Sequence, residues 1–294
     1  MKKSRYYNYN GTLYTYSETP VSVDNRSFRY GDGVFESMHW DGTQVLLLPF
    51  HLDRLHRAMD LLQFEDKNLY DSFFIRQQIE NLIRQNKLQG NARVRLSVFR
   101  GGGGLYTPET NKAMYLLEVS PMDTHMFAQN SAGLIIDVYR QHSKTRDDFS
   151  GLKSNNAQIQ VLASLYKKSH GLDDVIILNH EGNICESASS NVFIWYEQVL
   201  YTPLLSEACV DGVMRRALIG ALQDEDIRLV EARIDPEILH VAEEVILTNA
   251  VHGVQAVLGY KKKRYFNRLG RRLAQISNQW IKETFDPEDP EDLG

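Results

Sequence analysis

The stretch Gly151-Leu152-Lys153-Ser154-Asn155-Asn156 places a lysine just before a segment with an amphipathic pattern. Two further stretches follow it along the chain: Glu186-Ser187-Ala188-Ser189-Ser190-Asn191-Val192-Phe193, and then Asp211-Gly212-Val213-Met214-Arg215-Arg216. Each is common alone, since a lysine is usually a solvated surface charge and a glutamate beside serines usually belongs to a turn or a cap. The order and spacing of the three stretches carry the prediction.

Three chemical groups stand in these stretches. A lysine amine can form an imine with an aldehyde, a carboxylate can keep a pyridine nitrogen protonated, and a helix start led by glycine can bind a phosphate. Together they suit one cofactor, pyridoxal 5'-phosphate (PLP). We therefore predict that Lys153 is the catalytic residue that holds PLP as a Schiff base and that Glu186 pairs with the ring nitrogen. The backbone N–H groups of Val213 and Met214 are predicted to bind the phosphate.

The same motifs, with three others, resemble the fold-type IV PLP enzymes, also called the class IV aminotransferase family. The additional motifs are RYGDGVFE at residues 29–36, HLDRL at 51–55 and VILTNAV at 245–251. The resemblance covers most of the chain, from about residue 29 to about residue 285. It implies an α+β fold with two domains, a smaller N-terminal α/β domain and a larger, β-rich C-terminal domain that binds PLP.

The resemblance also implies further contacts to the cofactor. They are Arg54, Ser190, Asn191, Asn249, Ala250 and Asn156. Arg54 is the charged candidate for the phosphate, since a guanidinium can grip it with two hydrogen bonds; the simpler interpretation is a solvated helix arginine off the apolar stripe. Many relatives carry threonine where this chain has Met214 and Ala250, so phosphate binding is expected to depend on backbone N–H groups and Arg54.

Four residues are candidates for substrate binding. Phe35 and Ser37 alternate along one predicted strand, and Arg93 and Arg95 alternate along another. The resemblance makes Phe35 an apolar wall, as in branched-chain aminotransferases, and makes Arg95 the group that binds a substrate carboxylate. The alternative is that Arg93 and Arg95 are solvated charges of an edge strand.

These residues favour a PLP-dependent aminotransferase that moves an amino group from an amino acid to a 2-oxo acid, with a branched-chain substrate slightly favoured. The alternative is a 4-amino-4-deoxychorismate lyase that releases pyruvate and 4-aminobenzoate, because the glycine run after Arg100 and the residues at 212–215 resemble that group. The lyase interpretation is weakened by Leu105, which stands where those enzymes have a second basic residue. A third possibility is an inactive dimeric binding protein on the same fold.

The pattern of the chain predicts its organisation. A small α/β domain is expected over 1–122, an interdomain linker over 123–132, a large PLP-binding domain over 133–285 and an acidic tail over 286–294. Helices are expected over 51–63 and 212–222, and around the apolar positions Ile75 to Ile83, Ile159 to Tyr166 and Leu269 to Trp280. Strands are expected over 92–100, 114–119, 134–139, 175–178, 191–196 and 199–202.

Composition excludes several classes of protein. The chain has 294 residues, of which 43% are hydrophobic and 24% charged, and its net charge is -5. That charge disfavours nucleic-acid binding, and the basic run at 261–264 is interpreted as a hairpin tip. No run approaches the ~18 apolar residues of a membrane span. Cys185 and Cys209 lack metal-ligand spacing and fit buried thiols of a cytoplasmic protein, with no metal expected.

A homodimer is expected as well. The resemblance implies active sites at a dimer interface. Four consecutive glycines at 101–104 are too flexible to hold a pocket wall alone, and we expect a neighbouring chain or the substrate to order them.

Overall fold

The structure, a computed structural model, describes residues 4–122, 127 and 133–285. The chain forms two compact units. One comprises Met1–Met126 with Leu152–Asn156, and the other comprises Phe127–Gly151 with Ala157–Gly294. The segment around Lys153 therefore belongs to the first unit, whereas the sequence assigned it to the 133–285 domain. The predicted tail and, apart from Phe127, the predicted linker lie outside the described residues, and the predicted domain boundaries stay predictions.

The first unit contains one antiparallel sheet with helices packed on it. Its strands are β1 (Tyr6–Tyr9), β2 (Thr12–Thr15), β3 (Gly33–Trp40), β4 (Ala92–Arg100) and β5 (Ala113–Pro121), and its helices are α1 (Arg26–Tyr30), α2 (Leu48–Leu61) and α3 (Ser72–Gln85). The strands are ordered β2-β1-β5-β4-β3. Apolar side chains of α2 and α3, among them Met59 and Ile79, are fully buried against Val94 of β4. The core thus lies on one face of the sheet, and the other face carries both polar and aromatic side chains, among them Arg95, Ser37 and Phe35.

The segment that carries Lys153 pairs with the start of β3. The N–H of Phe35 donates to the carbonyl of Lys153 at 2.8 Å, and the N–H of Asn155 donates to the carbonyl of Gly33 at 2.9 Å. A Cβ at Gly33 would lie 2.7 Å from the carbonyl oxygen of Val98, so only glycine fits there. The two hydrogen bonds hold the backbone of Lys153 beside β3, at the edge of the sheet.

The second unit is built on a larger mixed sheet. Its strands are β6 (Leu134–Lys144), β7 (Asp174–Asn179), β8 (Ile184–Ser187), β9 (Asn191–Tyr196), β10 (Val199–Pro203), β11 (Leu229–Ala232), β12 (Glu244–Asn249), β13 (Gly253–Tyr260) and β14 (Lys263–Arg264). Its helices are α4 (Gln158–Ser169), α5 (Val213–Ala221), α6 (Ile238–Val241) and α7 (Leu269–Thr284). Among the described residues the order is β11-β10-β9-β12-β13-β6-β7-β8, with β14 paired to β13.

Two fully buried strands and a buried carboxylate help to organise the second unit. Every residue of β7 and of β8 is buried, as expected for strands covered on both faces. The start of α7 is fixed by Glu244, whose carboxylate accepts the N–H groups of Arg268, Leu269 and Gly270 at 2.8–2.9 Å. A buried carboxylate thereby satisfies the donors that a helix start leaves unpaired.

Most of the predicted helices and strands are confirmed, with differences at particular sites. The helix expected over 51–63 is α2, and the helix expected over 212–222 is α5, which begins after Gly212. The strand expected over 134–139 continues to Lys144, and β8 was not predicted. On α4, Ile159 and Tyr166 pack on the core as expected, but Leu162 is exposed. The basic run does form a turn, between β13 and β14.

Candidate active site

The amine of Lys153 lies beside an aromatic ring. Its Nζ is 4.7 Å from the centroid of the Phe35 ring, and the guanidinium carbon of Arg95 is 3.9 Å from the same centroid. Two cations near one ring are a favourable cation–π arrangement for each of them. The first unit thus brings together the predicted imine-forming lysine, the predicted apolar wall and the predicted carboxylate-binding arginine.

The polar face of the first sheet continues this cluster. Ser37 lies opposite Arg95 in the register of β3 and β4, and Glu118 of β5 lies opposite Arg95 on its other side. Nη2 of Arg93 donates to the Ser37 hydroxyl at 3.4 Å, whereas the buried Nε of Arg93 has no hydrogen-bond partner among the described residues. Burial lowers the pKa of Arg95, Glu118 acts in the opposite direction and Arg93 adds to the lowering. The four predicted substrate residues therefore share one face.

Arg54 is buried, contrary to the expectation that it stands off the apolar stripe. It is 4% exposed, and its Nε donates to Oε1 of Glu36 at 2.8 Å while its Nη2 donates to Oε2. Nδ1 of His51 lies 2.6 Å from Oε2 of Glu36. The physical reason is that Glu36 projects from β3 toward α2, so a polar cluster replaces apolar packing there.

Burial and the charges of this cluster shift the pKa values of Glu36 and His51. Burial alone would raise the pKa of the Glu36 carboxyl, but the charges and hydrogen bonds of Arg54 and His51 outweigh burial and lower it to about 2. Burial lowers the pKa of His51, and the attraction of Glu36 only partly opposes this. Nε2 of His51 has no hydrogen-bond partner in the described part of the chain. The arrangement keeps Glu36 ionised and Arg54 fixed in orientation.

Glu186 lies on β8 in the second unit and is 4% exposed. Its Oε1 accepts hydrogen bonds from Nζ of Lys144 at 2.7 Å and from Nε2 of Gln160 at 3.2 Å. Its Oε2 accepts the backbone N–H of Val210 at 2.8 Å. The solvated turn that would be its simplest alternative is therefore wrong, and sequence reasoning missed Lys144 as its partner.

The predicted phosphate loop precedes α5. Gly212 is the N-cap of α5, provides no capping side chain and is followed by a first turn without acidic residues. A Cβ at Gly212 would lie 1.8 Å from Oδ1 of Asn191, so the loop needs glycine. Val213 and Met214 are each 1% exposed as whole residues and have no hydrogen-bond donor in their side chains, so the only donors they offer are their backbone N–H groups. Those N–H groups have no acceptor within the helix itself.

A second turn follows β12 and is joined to the loop after Glu186. Nδ2 of Asn249 donates to the Ser190 hydroxyl at 2.9 Å, and Oδ1 of Asn249 accepts the N–H groups of Val251 and His252. Nδ2 of Asn191 donates to the carbonyl of Val210 at 2.8 Å. The side chains of Asn249, Ser190 and Asn191 therefore hold these loops in place, and Ala250 lies in the turn itself.

Two remaining predictions concern loops of the first unit. Asn156 is exposed, and it is the neighbouring Asn155 whose side chain bonds within the unit, to the Ser27 hydroxyl at 2.7 Å. The glycine run at 101–104 is anchored by the chain itself. Arg26 donates to the carbonyls of Gly103, Leu105 and Tyr106. A buried arginine of α1 thus helps to fix this run from within the first unit, and the expectation that a neighbouring chain or a substrate orders the glycines stays a prediction.

The donor sets of the two units fit PLP. The first unit offers an amine at Lys153 beside an aromatic ring, and the second offers a buried carboxylate at Glu186 together with the N-terminus of α5, which no side chain caps. An amine, a carboxylate and a helix N-terminus are the groups that an aldehyde, a pyridine nitrogen and a phosphate require. The residues present are thus chemically suited to that cofactor.

An α+β protein in two units, with groups suited to PLP, defines the class of protein. The family described as Amino-transferase class IV matches residues 33–260. That is more than half of the chain, which therefore belongs to the class IV aminotransferase family, a family of PLP-dependent aminotransferases and lyases.

Relatives of known name represent both activities. The chain is 28% identical over 281 residues to the aminodeoxychorismate lyase of Bacillus subtilis (strain 168), covering 93% of each chain. It is 26% identical over 258 residues to the branched-chain-amino-acid aminotransferase of Pseudomonas aeruginosa, covering 85% of this chain and 82% of the relative. The family is thus clear, and the relatives with the two activities have similar sequence identities to this chain, 28% and 26%.

Solved structures confirm the predicted fold class. The branched-chain aminotransferase of Thermoproteus uzoniensis with norvaline has a TM-score of 0.81 at 20% identity, covering 96% of both chains. The branched-chain aminotransferase of Thermobaculum terrenum in its PLP form has a TM-score of 0.80 at 18% identity, covering 96% of this chain and 95% of that one. At identities of 20% and 18%, this structural similarity is evidence for the fold alone.

Two further observations concern the described residues. Within the ranges 4–122, 127 and 133–285, no three His, Cys, Asp or Glu side chains are grouped as a metal site requires. None of the helices in these ranges is long and apolar enough to cross a membrane. Cys185 and Cys209 are buried free thiols, as predicted.

Proposed function

We propose that the chain is a PLP-dependent aminotransferase that moves an amino group from an amino acid to a 2-oxo acid, with a branched-chain substrate favoured. The observation that carries this proposal is the Phe35 ring, which has Nζ of Lys153 and the guanidinium of Arg95 within 5 Å of its centroid. An amine that exchanges protons, a cation for the substrate carboxylate and an apolar surface are the groups that an apolar amino acid requires.

Four residues have defined roles in this proposal. PLP supplies an electron sink that makes the substrate Cα–H acidic. Lys153 anchors the cofactor through Nζ and, once released, takes the proton from the substrate Cα. Glu186 keeps a proton on the ring nitrogen. Arg95 orients the substrate carboxylate, and Phe35 packs against its side chain.

The phosphate would be held by backbone groups and one side chain. The N–H groups at Val213 and Met214 provide the positive end of the α5 dipole, and the turn at Asn249 and Ala250 provides the second loop. Arg54 provides the charge. Neither Met214 nor Ala250 has a hydroxyl, so backbone donors carry the larger share.

An aminodeoxychorismate lyase is the second candidate, and Arg93 favours it. Its Nε is buried without a partner in the described residues, and its Nη2 contacts Ser37 at 3.4 Å. A second cation on the face that carries Arg95 suits a substrate with two carboxylates, as aminodeoxychorismate has. The relative from Bacillus subtilis supports the same candidate.

A single-turnover experiment separates these activities. The purified chain is loaded with PLP and mixed with one amino acid at a time, without an oxo acid, while the visible spectrum is recorded. An aminotransferase converts the yellow cofactor to its pyridoxamine form and stops there. A lyase given aminodeoxychorismate keeps the yellow form and releases pyruvate. A protein that stays colourless with PLP is the inactive binding protein instead, and that result would overturn the proposal.

We also propose a homodimer in the cytoplasm. The exposed side chains of Leu105, Tyr106 and Tyr30, of which the two tyrosine rings lie 5.5 Å apart, support a contact with a second copy, since contiguous exposed apolar surface commonly marks an interface. Two buried free thiols suit a reducing compartment.

A further inference from the structure

The carboxylate of Glu186 is enclosed by donors from three other parts of the second unit. Lys144 is the last residue of β6, Gln160 lies in the first turn of α4, and Val210 precedes α5. Nζ of Lys144 also donates to the carbonyl of Ser150 at 3.0 Å, so the ammonium is itself held in place. Both side chains of the ion pair are nearly inaccessible, with exposures of 11% for Lys144 and 5% for Glu186.

We propose that Lys144 is a positioning residue that fixes the orientation of the Glu186 carboxylate and presents its Oε2 to the ring nitrogen of the cofactor. This inference rests on the proposed function and adds a residue that acts through Glu186 without touching the reacting atoms. A buried charge is costly without a partner, and the ammonium of Lys144 is the partner of this one.

The lone pairs of Glu186 decide which oxygen is available. A carboxylate oxygen accepts about two hydrogen bonds. Oε1 already accepts two, from Lys144 and Gln160, whereas Oε2 accepts one, from the N–H of Val210. Oε2 therefore keeps an acceptor position for one more donor, and a protonated ring nitrogen is such a donor. Lys144 fixes this division by occupying Oε1.

The carboxylate of Glu186 keeps Lys144 charged over a wide range of pH. Burial lowers the pKa of Lys144, but the attraction of Glu186 outweighs burial and raises it. Burial raises the pKa of Cys185 well above its usual value and that of Cys209 to about 12, so both thiols stay neutral at moderate pH. Between about pH 6 and about pH 9 Lys144 therefore stays protonated and both thiols stay neutral.

The test measures PLP affinity rather than turnover. Lys144→Met removes the ammonium and keeps an apolar chain of similar length, Lys144→Arg keeps the charge, and Lys168→Met removes an exposed lysine of α4 as the matched control. Each protein is titrated with PLP from about pH 6 to about pH 9, with circular dichroism as a check on folding. We expect Lys144→Met to bind PLP about tenfold more weakly or worse across this range of pH, because the charge-assisted hydrogen bond that orients Glu186 is lost.

The conservative variant and a double variant keep the proposal falsifiable. Lys144→Arg and Lys168→Met should bind PLP as the parent protein does, at every pH. In a Glu186→Gln background, Lys144→Met should change PLP affinity less than twofold, because the residue acts through that carboxylate. Equal affinity and an equal pH profile for Lys144→Met and the parent would overturn the inference while the proposed function stands. A parent protein that binds no PLP would overturn the proposed function itself. If Lys144→Met does not fold, unchanged PLP binding by Lys144→Gln decides against the inference.

Discussion

Arg54 and Glu36 form a buried, two-point ion pair between α2 and β3. Nε of Arg54 lies 2.8 Å from Oε1 of Glu36, and the guanidinium also donates to Oε2. Such a fork holds the plane of the guanidinium fixed relative to the carboxylate. In the proposed phosphate-binding role, Arg54 is thus oriented before the phosphate binds, which reduces the ordering that binding requires.

We expect Arg54→Ala to weaken PLP binding more than it alters the chemical step. Removing a cation from a phosphate site is expected to raise the PLP dissociation constant by about ten- to a hundredfold. The variant also leaves Glu36 buried without its main partner, which should lower the free energy of unfolding by about 3–5 kcal/mol. Titration with PLP and denaturant unfolding measure the two effects. Arg57→Ala is the control on the same helix, because Arg57 is about half exposed and forms an ion pair with Asp53 of the same helix. If Arg54→Ala binds PLP with the same dissociation constant as the parent protein, Arg54 does not bind the phosphate and its role is structural.

The same pair predicts how stability depends on pH. The pKa of Glu36 is lowered from 4.5 to about 2 in the folded protein. Its contribution to stability is therefore complete above about pH 4.5 and is lost as the pH falls from there toward about 2. Denaturant unfolding of the parent and of Glu36→Gln at several pH values should show a smaller slope for the variant in this window, and a lower stability at neutral pH. Parallel curves for the two proteins below about pH 4.5 would contradict the assignment.

Lys153→Ala should abolish turnover, because neither the anchor for the cofactor nor the group that moves the Cα proton remains. The loss should reach several orders of magnitude, as expected when a catalytic nucleophile and base is removed. The rate of amino transfer measures it, with and without a small added amine. Lys168→Ala, which removes an exposed lysine of α4, should leave the rate unchanged. Near-normal activity of Lys153→Ala without added amine would mean that another residue is the anchor.

Glu186→Gln should keep PLP bound and slow the removal of the Cα proton. A neutral amide cannot hold a proton on the ring nitrogen, so the cofactor becomes a weaker electron sink. Exchange of the substrate α-proton with deuterated solvent should slow by about a hundredfold or more. An exchange rate equal to that of the parent protein would exclude a role for Glu186 at the ring nitrogen.

Sequence reasoning reached the lysine and the carboxylate but not the pair that fixes the carboxylate. Lys144 and Glu186 are 42 positions apart in the chain. Their contact exists because β6 and β8 flank β7 in the sheet. No local pattern encodes that order, and a lysine at the end of a strand has no distinguishing spacing. The continuation of β6 beyond the strand predicted over 134–139, as far as Lys144, was therefore the missing observation.

Helical periodicity also mispredicted the burial of two residues, Arg54 on α2 and Leu162 on α4. Arg54 is buried because its partner Glu36 comes from another element, and a pattern of apolar residues does not register a polar pair inside a core. On α4 the apolar residues occupy more than one face. Ala163 is buried, whereas Val161, Leu162 and Leu165 are exposed. Periodicity alone cannot say which face packs on the sheet of the same chain.

The exposed apolar residues lead to the last prediction, a homodimer that Tyr106 helps to form. Tyr106 is 88% exposed, its ring lies 5.5 Å from that of Tyr30, and Leu105 beside it is 76% exposed. Arg26 holds the backbone of this loop, so an aspartate at position 106 changes the surface without releasing the loop. Light scattering at working concentration should give a dimer for the parent protein and a weakened dimer, with a dissociation constant raised about tenfold or more, for Tyr106→Asp. Leu69→Asp is the control, because Leu69 is a comparably exposed apolar residue in another part of the first unit. A monomer mass for a PLP-loaded, fully active parent protein would refute both the dimer and a shared active site.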